Sequence, residues 1–382
     1  MSSPQSTSQL SQAAANLCHC HFVDGACLEI LGEVNERYWV QFIDQATQSV
    51  VHEGLISNNQ WIKTARSYFT RWSVVVTRQH DQQRVFSHQY DCEQQRVYIA
   101  LESASLGDTL AWLPAIEAFR QAHHCQMLCS TFMNTLFAAA YPDIEFIEPG
   151  TTVTNLYALY RLGWYYAANG QPDEHKNPRD FRHQPLAATA YTILGLPYLE
   201  QRPKFALATT QAPIDVPYVC IAVHATAQAK YWNNPSGWQE VVDFLQQRGY
   251  RVILLSKEGH EFMGNTAPAN AEPLPAGDLT QIIRYLQHAR CFIGIGSGLS
   301  WLSWAVGCPT CLISGFSAAY TEMQDCIRLS PPDSVCSGCF NREQLQADNW
   351  LWCPDQQGTP RMFECTRSIS AQQVITAITP LL

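Results

Sequence analysis

Between residues 97 and 121 an apolar, β-favouring run, VYIAL, gives way to a short polar loop. Leu110, Leu113, Ile116 and Phe119 then recur at helical spacing. That is strand, turn and helix, the opening unit of a doubly wound sheet. The pattern repeats. Strand-like runs at 125–129 and 144–147, with a helical stretch at 187–196 closed by Gly195-Leu196-Pro197, complete a first α/β half over 94–210. Over 211–330, strand-like runs at 218–224, 251–256, 291–294 and 310–313 alternate with helical stretches at 237–248, 279–289 and 299–306. Small residues and prolines at 206–217 read as a linker between the halves. Residues 18–93 carry a different pattern. Short β-rich runs near 27–31, 38–42, 49–52, 73–77 and 84–88, separated by turn residues, predict a small antiparallel sheet or barrel. Residues 1–17 read as a flexible polar tail, and 331–382 as a cysteine-bearing segment ending in a helix.

The turns of the two halves carry the candidate chemistry. In open α/β sheets, ligands bind beyond the carboxyl ends of the strands. Gly107 lets the backbone turn there, and Asp108 follows where either a helix N-cap or a catalytic carboxylate would stand. Pro114 predicts a late helix start or a bend. Thr226 and Lys230 lie in the loop after the 218–224 strand, where a hydroxyl and an ammonium can meet a phosphate. Gly296, Ser297, Gly298, Leu299 and Ser300 form a glycine-rich turn into a helix, able to present N–H groups to anionic oxygen. Glu258, after the 251–256 strand, is a loop carboxylate or a ribose contact. The aromatic segment 155–185 reads as surface helix and loop or as a lining of the cleft.

Composition narrows the function. A net charge of −9 argues against general nucleic-acid binding, which needs a basic footprint. No apolar run approaches the ~20 residues of a membrane helix, and the N-terminus lacks the basic and apolar regions of a signal peptide. A cytoplasmic location is therefore expected. Fifteen cysteines in such a chain are free, catalytic or metal-bound rather than bridged. Cys336, Cys339, Cys353 and Cys365, spaced C-x2-C-x13-C-x11-C, suit tetrahedral zinc or a rubredoxin-like iron centre. Cys291, Cys308, Cys311 and Cys326 read as small buried hydrophobes.

Taken together, Gly107-Asp108 with Pro114, the loop His224-Ala225-Thr226 through Lys230 to Trp232, and the Ser297-Gly298-Leu299-Ser300 turn resemble bacterial ADP-heptose glycosyltransferases. Gly296 and Trp301 stand where the lipopolysaccharide enzymes carry an acidic residue and a histidine. With the four cysteines, this resembles the cytoplasmic branch that heptosylates autotransporter adhesins. The resemblance implies a GT-B fold of two Rossmann-like domains, a small N-terminal β domain, and a C-terminal four-cysteine finger holding structural iron. It implies inverting transfer of heptose from ADP-heptose to passenger-domain serines, with Asp108 as base. Gly107, Thr109, Thr226, Lys230, Glu258 and the 296–300 turn would face the donor, and no catalytic divalent metal is expected. It also implies a twelve-subunit ring, and the hairpin edges expected of 18–93 make that module the expected joint between subunits. Alternative readings are a lipopolysaccharide core heptosyltransferase, or a non-catalytic metal-bearing scaffold that binds adhesins.

Overall fold

The computed structural model describes residues 15–206, 211–274 and 278–382. Most of the expected tail and part of the expected linker lie outside the described residues. The chain opens with β1 (Leu17–Val23), β2 (Cys27–Leu31), β3 (Arg37–Asp44), β4 (Ser49–Ser57), β5 (Gln60–Lys63), β6 (Trp72–Arg78) and β7 (Arg84–Gln89). These do not form the single module that the sequence suggests. β3, β4, β6 and β7 make a four-stranded antiparallel sheet in the order β4-β3-β6-β7. Its inner face carries the alternating residues Tyr38, Val40, Phe42, Val74 and Val76. β1, β2 and β5 leave it and join the first α/β sheet.

That sheet is built on β8 (Arg96–Leu101), α1 (Leu106–His123), β9 (Gln126–Ser130), α2 (Asn134–Phe137), β10 (Ile144–Phe146), β11 (Ala158–Leu162) and α3 (Leu186–Ile193). The order is β10-β9-β8-β11-β1-β2-β5. β1 runs parallel to β11, with Phe22 opposite Ala158. It covers an edge that four parallel strands would otherwise leave unpaired. The expected β-rich runs begin at residue 27, so β1 is a strand that the sequence pattern does not place, and nothing local in it points to β11 as its partner. β11 itself falls in the aromatic segment that reads as helix, loop or cleft lining. Four of its five residues are buried. α1 runs through Pro114 without a late start, because the ring sits in the buried face of an 18-residue helix whose neighbours hold it.

The second half comprises β12 (Tyr218–Ala222), α4 (Gly237–Gln247), β13 (Arg251–Leu254), the small hairpin β14 (Glu261–Phe262) and β15 (Asn265–Thr266), and β16 (Glu272–Pro273). It continues through α5 (Leu279–His288), β17 (Phe292–Ile295), α6 (Gly298–Ala305), β18 (Thr310–Ile313), β19 (Ile327–Leu329), α7 (Glu364–Arg367) and α8 (Ala371–Ile378). Its parallel sheet has the order β16-β13-β12-β17-β18-β19, the 3-2-1-4-5-6 order of dinucleotide-binding folds. β12, β17 and β18 are buried throughout, as expected of strands covered on both faces. α8 closes one face, placing Val374 and Ile378, with Ile369 just before the helix, in the same core as Val241 and Leu245 of α4. The other face shares a core with the first half, from Phe119 and Leu162 to Phe292 and Trp301.

Candidate active site

Two parallel strand pairs bring the site together. Leu101 at the end of β8 lies opposite Leu162 at the end of β11, so the residues just beyond them, 103–108 and 163–164, become neighbours. Ala222 of β12 lies opposite Gly294 of β17, which joins the 224–230 loop to the 296–300 turn. The two halves meet where α1 and α6 begin. A Cβ on Gly107 would stand 3.0 Å from Trp301 Cδ1, and one on Gly298 would stand 2.9 Å from Leu106 Cβ. Both glycines are needed for this close approach rather than for a special backbone angle.

Asp108 is not the N-cap. Ser105 is, with an extended backbone and a side chain that accepts from the Asp108 N–H at 3.5 Å. Asp108 sits in the first turn of α1, where the helix dipole favours a negative charge. Its Oδ2 accepts from Ser103 Oγ at 2.6 Å and from Trp164 Nε1 at 3.1 Å. Among the described residues Oδ1 takes no hydrogen bond, which leaves it for a ligand. Burial pushes the carboxyl above the usual aspartate range, while Ser103, Trp164 and the charge of Lys230 pull it back.

Lys230 ends a short 3-10 turn, Gln228–Lys230. Its Nζ donates to Thr226 Oγ1 at 3.4 Å and lies 5.3 Å from the centroid of the Phe316 ring. Burial pulls the ammonium below the usual lysine range, and the charges of Asp108 and Glu322 oppose that. A carboxylate and an ammonium from opposite halves of the chain are thus each in range of the other's field.

The glycine-rich turn divides in two. Ser297 Oγ is buried without a partner, so it remains available to a ligand. The Ser300 hydroxyl is committed to the Ile295 carbonyl at 2.6 Å. The Thr109 hydroxyl is likewise committed, to the Ser105 carbonyl at 3.0 Å. Leu299 packs against the shared core. A Cβ on Gly296 would stand 3.3 Å from Glu322 Oε1. Glu322 is buried, accepts from Ser314 and Ser317, and pairs with Arg328. Glu258 lies at the end of β13, its carboxylate accepting from Ser256 Oγ at 3.2 Å and its charge acting on His224 and Tyr231 of the neighbouring loop. Sequence reasoning missed Ser103, Trp164, Phe316 and Glu322. Only their proximity in space marks them.

The four spaced cysteines share one neighbourhood behind this crevice. All are free thiols. Cys339 and Cys353 lie in a small apolar cluster with Ala229, Phe316, Trp352 and Phe363. Cys339 Sγ accepts from Arg342 at 3.6 Å. Burial pushes Cys365 up to about 12, and Cys339, Cys336 and Cys353 add to the shift. Burial also raises Cys336 and Cys339, with the Asp355 carboxylate and Cys353 next. A cation placed among them would reverse those shifts. Yet among the described residues no three His, Cys, Asp or Glu side chains converge closely enough to hold a metal ion. The thiols gather without closing into a ligand set.

Comparison with known proteins follows the same lines. The Glycosyltransferase family 9 (heptosyltransferase) profile matches residues 185–330. The chain is 38% identical to the autotransporter heptosyltransferase BAHTCr of Citrobacter rodentium, over 85% of this chain and 80% of that protein. It superimposes on the crystal structure of TibC from enterotoxigenic E. coli, described as a bacterial iron-containing dodecameric glycosyltransferase. The TM-score is 0.88 at 33% identity, covering 100% of this chain and 99% of that one. A second TibC structure holds ADP-D-beta-D-heptose. BimC of Burkholderia thailandensis, 32% identical over 76% of this chain and 70% of that protein, is called an inactive autotransporter heptosyltransferase.

Proposed function

The chain belongs to the autotransporter heptosyltransferases, and from that premise we propose that it is an active, inverting protein O-heptosyltransferase. Its donor is ADP-heptose and its acceptor a serine hydroxyl of an autotransporter adhesin passenger domain. Because one relative is called inactive, kinship alone does not carry activity. The single observation that does is the Asp108 carboxylate at the start of α1, where the two halves meet, with one oxygen held, one free and the Lys230 charge acting on it.

Transfer is a single displacement. The serine oxygen attacks the anomeric carbon as Asp108 Oδ1 takes its proton. The bond from that carbon to the diphosphate oxygen breaks, and ADP leaves. Lys230, Thr226, Ser297 and the N–H groups at 296–299 stabilise the departing charge. No divalent metal is required, because the ammonium and the helix start supply the positive field. Two α/β sheets, one wholly parallel and one built on the parallel strands β10-β9-β8-β11, support a GT-B reading. The iron reported for TibC supports assigning Cys336, Cys339, Cys353 and Cys365 as the ligands of a structural iron here. Zinc would suit the same thiols. The dodecamer reported for TibC supports a ring here, and light scattering on the full chain should then give an assembly many times the monomer mass. Among the described residues no helix is long and apolar enough to cross a membrane.

Lys230→Ala should weaken ADP binding about ten- to a hundredfold, the loss expected of a charge-assisted bond to phosphate. Calorimetric titration with ADP alone reads this, and unchanged affinity would place Lys230 outside the diphosphate site. The function itself is tested by offering labelled ADP-heptose to a passenger fragment and to lipopolysaccharide core oligosaccharide together. Label is expected on the protein. Label on the oligosaccharide alone would favour the lipopolysaccharide reading, and none on either would favour a scaffold.

A further inference from the structure

The loop beyond β11 supplies more to the base than a wall. Trp164 follows the end of β11 by two residues and donates its indole N–H to Asp108 Oδ2 at 3.1 Å. Its ring is fixed on three sides. Phe181 meets it edge-on at 4.9 Å between centroids, Phe340 edge-on at 5.7 Å, and Trp112 at 5.9 Å. Trp112 lies one helical turn beyond Asp108 on α1 and is itself anchored, donating to the Leu186 carbonyl at 2.9 Å. Phe340 follows the CxxC pair directly and also packs on Phe316, the ring beneath Lys230. An indole held this way has little freedom to release the carboxylate.

We propose that Trp164 is a positioning residue for transfer, its N–H holding Asp108 Oδ2 so that Oδ1 is presented to the acceptor hydroxyl. This rests on the reading of Asp108 as the base. A carboxylate with two donors on one oxygen keeps the other oxygen oriented and stays ionised to lower pH than the same carboxylate with one donor. The other groups facing Asp108 are Ser103, from the loop after β8, and Lys230, from the opposite half. The charge of Glu322 acts on Lys230 and is not among the influences on Asp108. Among the described residues neither Lys230 nor Glu322 makes a hydrogen bond or cation-π contact with the indole, so removing the N–H tests that bond separately from them.

The test is the pH dependence of kcat for Trp164→Phe and Trp164→His. Phenylalanine keeps an aromatic ring between Phe181, Phe340 and Trp112 but deletes the donor. Histidine restores a ring N–H. In Trp164→Phe, kcat should fall several-fold, and the acid limb should move to higher pH by about half a unit or more. KM for ADP-heptose and ADP affinity should stay near the parent values. Trp164→His should recover part of both losses. Ser103→Ala, which removes the other donor, should move the limb in the same direction and shows that the limb reports Asp108. An unmoved limb in Trp164→Phe, or identical limbs in the Phe and His variants, would overturn the proposal. If the Asp108 reading itself were wrong, Asp108→Asn would keep turning over. If only this proposal were wrong, Asp108→Asn would be inactive and the Trp164 variants would share the parent's limb.

Discussion

Asp108→Asn is expected to lower turnover by about 10²- to 10⁴-fold, the contribution of a positioned general base, and to leave ADP-heptose affinity within a few-fold. The asparagine oxygen can still accept from Ser103 and Trp164, but it cannot take the serine proton. Melting temperature should not fall with activity, because the folded pKa of Asp108 is raised above its unfolded value. Between those two values the folded state binds more protons than the unfolded state, so stability drops as pH rises through that window. At neutral pH the parent therefore carries a destabilising buried charge that asparagine lacks. The variant should be as stable as the parent or more so, with the gap closing as pH falls below the usual aspartate value of about 3.9. Thermal unfolding at neutral and acid pH, beside turnover, reads both effects. Near-parental turnover would remove Asp108 from the chemistry.

Replacing Cys336, Cys339, Cys353 and Cys365 together with serine should give metal-free, poorly folded protein. A structural thiolate site contributes on the order of 10–16 kcal/mol of apparent binding free energy to the folded state. Here the loss would spread inward. The Cys339–Cys353 cluster contains Phe316 and Ala229, which border Lys230, and Phe340 braces both Phe316 and Trp164. ADP affinity should therefore fall along with stability. Parent protein should be reddish if it holds ferric iron. Elemental analysis finding neither iron nor zinc in it would contradict the assignment.

What the sequence made legible was local. The strand-turn-helix pattern around Gly107 and Asp108, and the loop carrying Thr226 and Lys230, both lie at strand ends of the α/β sheets. What it left illegible depends on partners distant along the chain. β1 has the alternation of any half-buried strand, and only the open edge of β11 decides its place. Asp108 stands where either an N-cap or a catalytic carboxylate would, because a helix start is visible in sequence, whereas the cap hydroxyl of Ser105 is identified only by its bond to the Asp108 N–H. Trp164 looks like one aromatic among many until the parallel pairing of β8 and β11 sets it beside the base. Thr109 and Ser300 carry hydroxyls in motif positions, yet each satisfies its own backbone. Cysteine spacing marks a metal site, but it does not determine how closely the thiols converge.

Transfer by one displacement, with Asp108 as the sole base and ADP leaving from the opposite side of the anomeric carbon, fixes the stereochemistry of the product. Nuclear magnetic resonance of the heptose on a modified passenger serine tests it directly. The expected anomeric configuration is opposite to that of the ADP-heptose donor. The same configuration as the donor, or a passenger fragment that acquires no heptose, would contradict it.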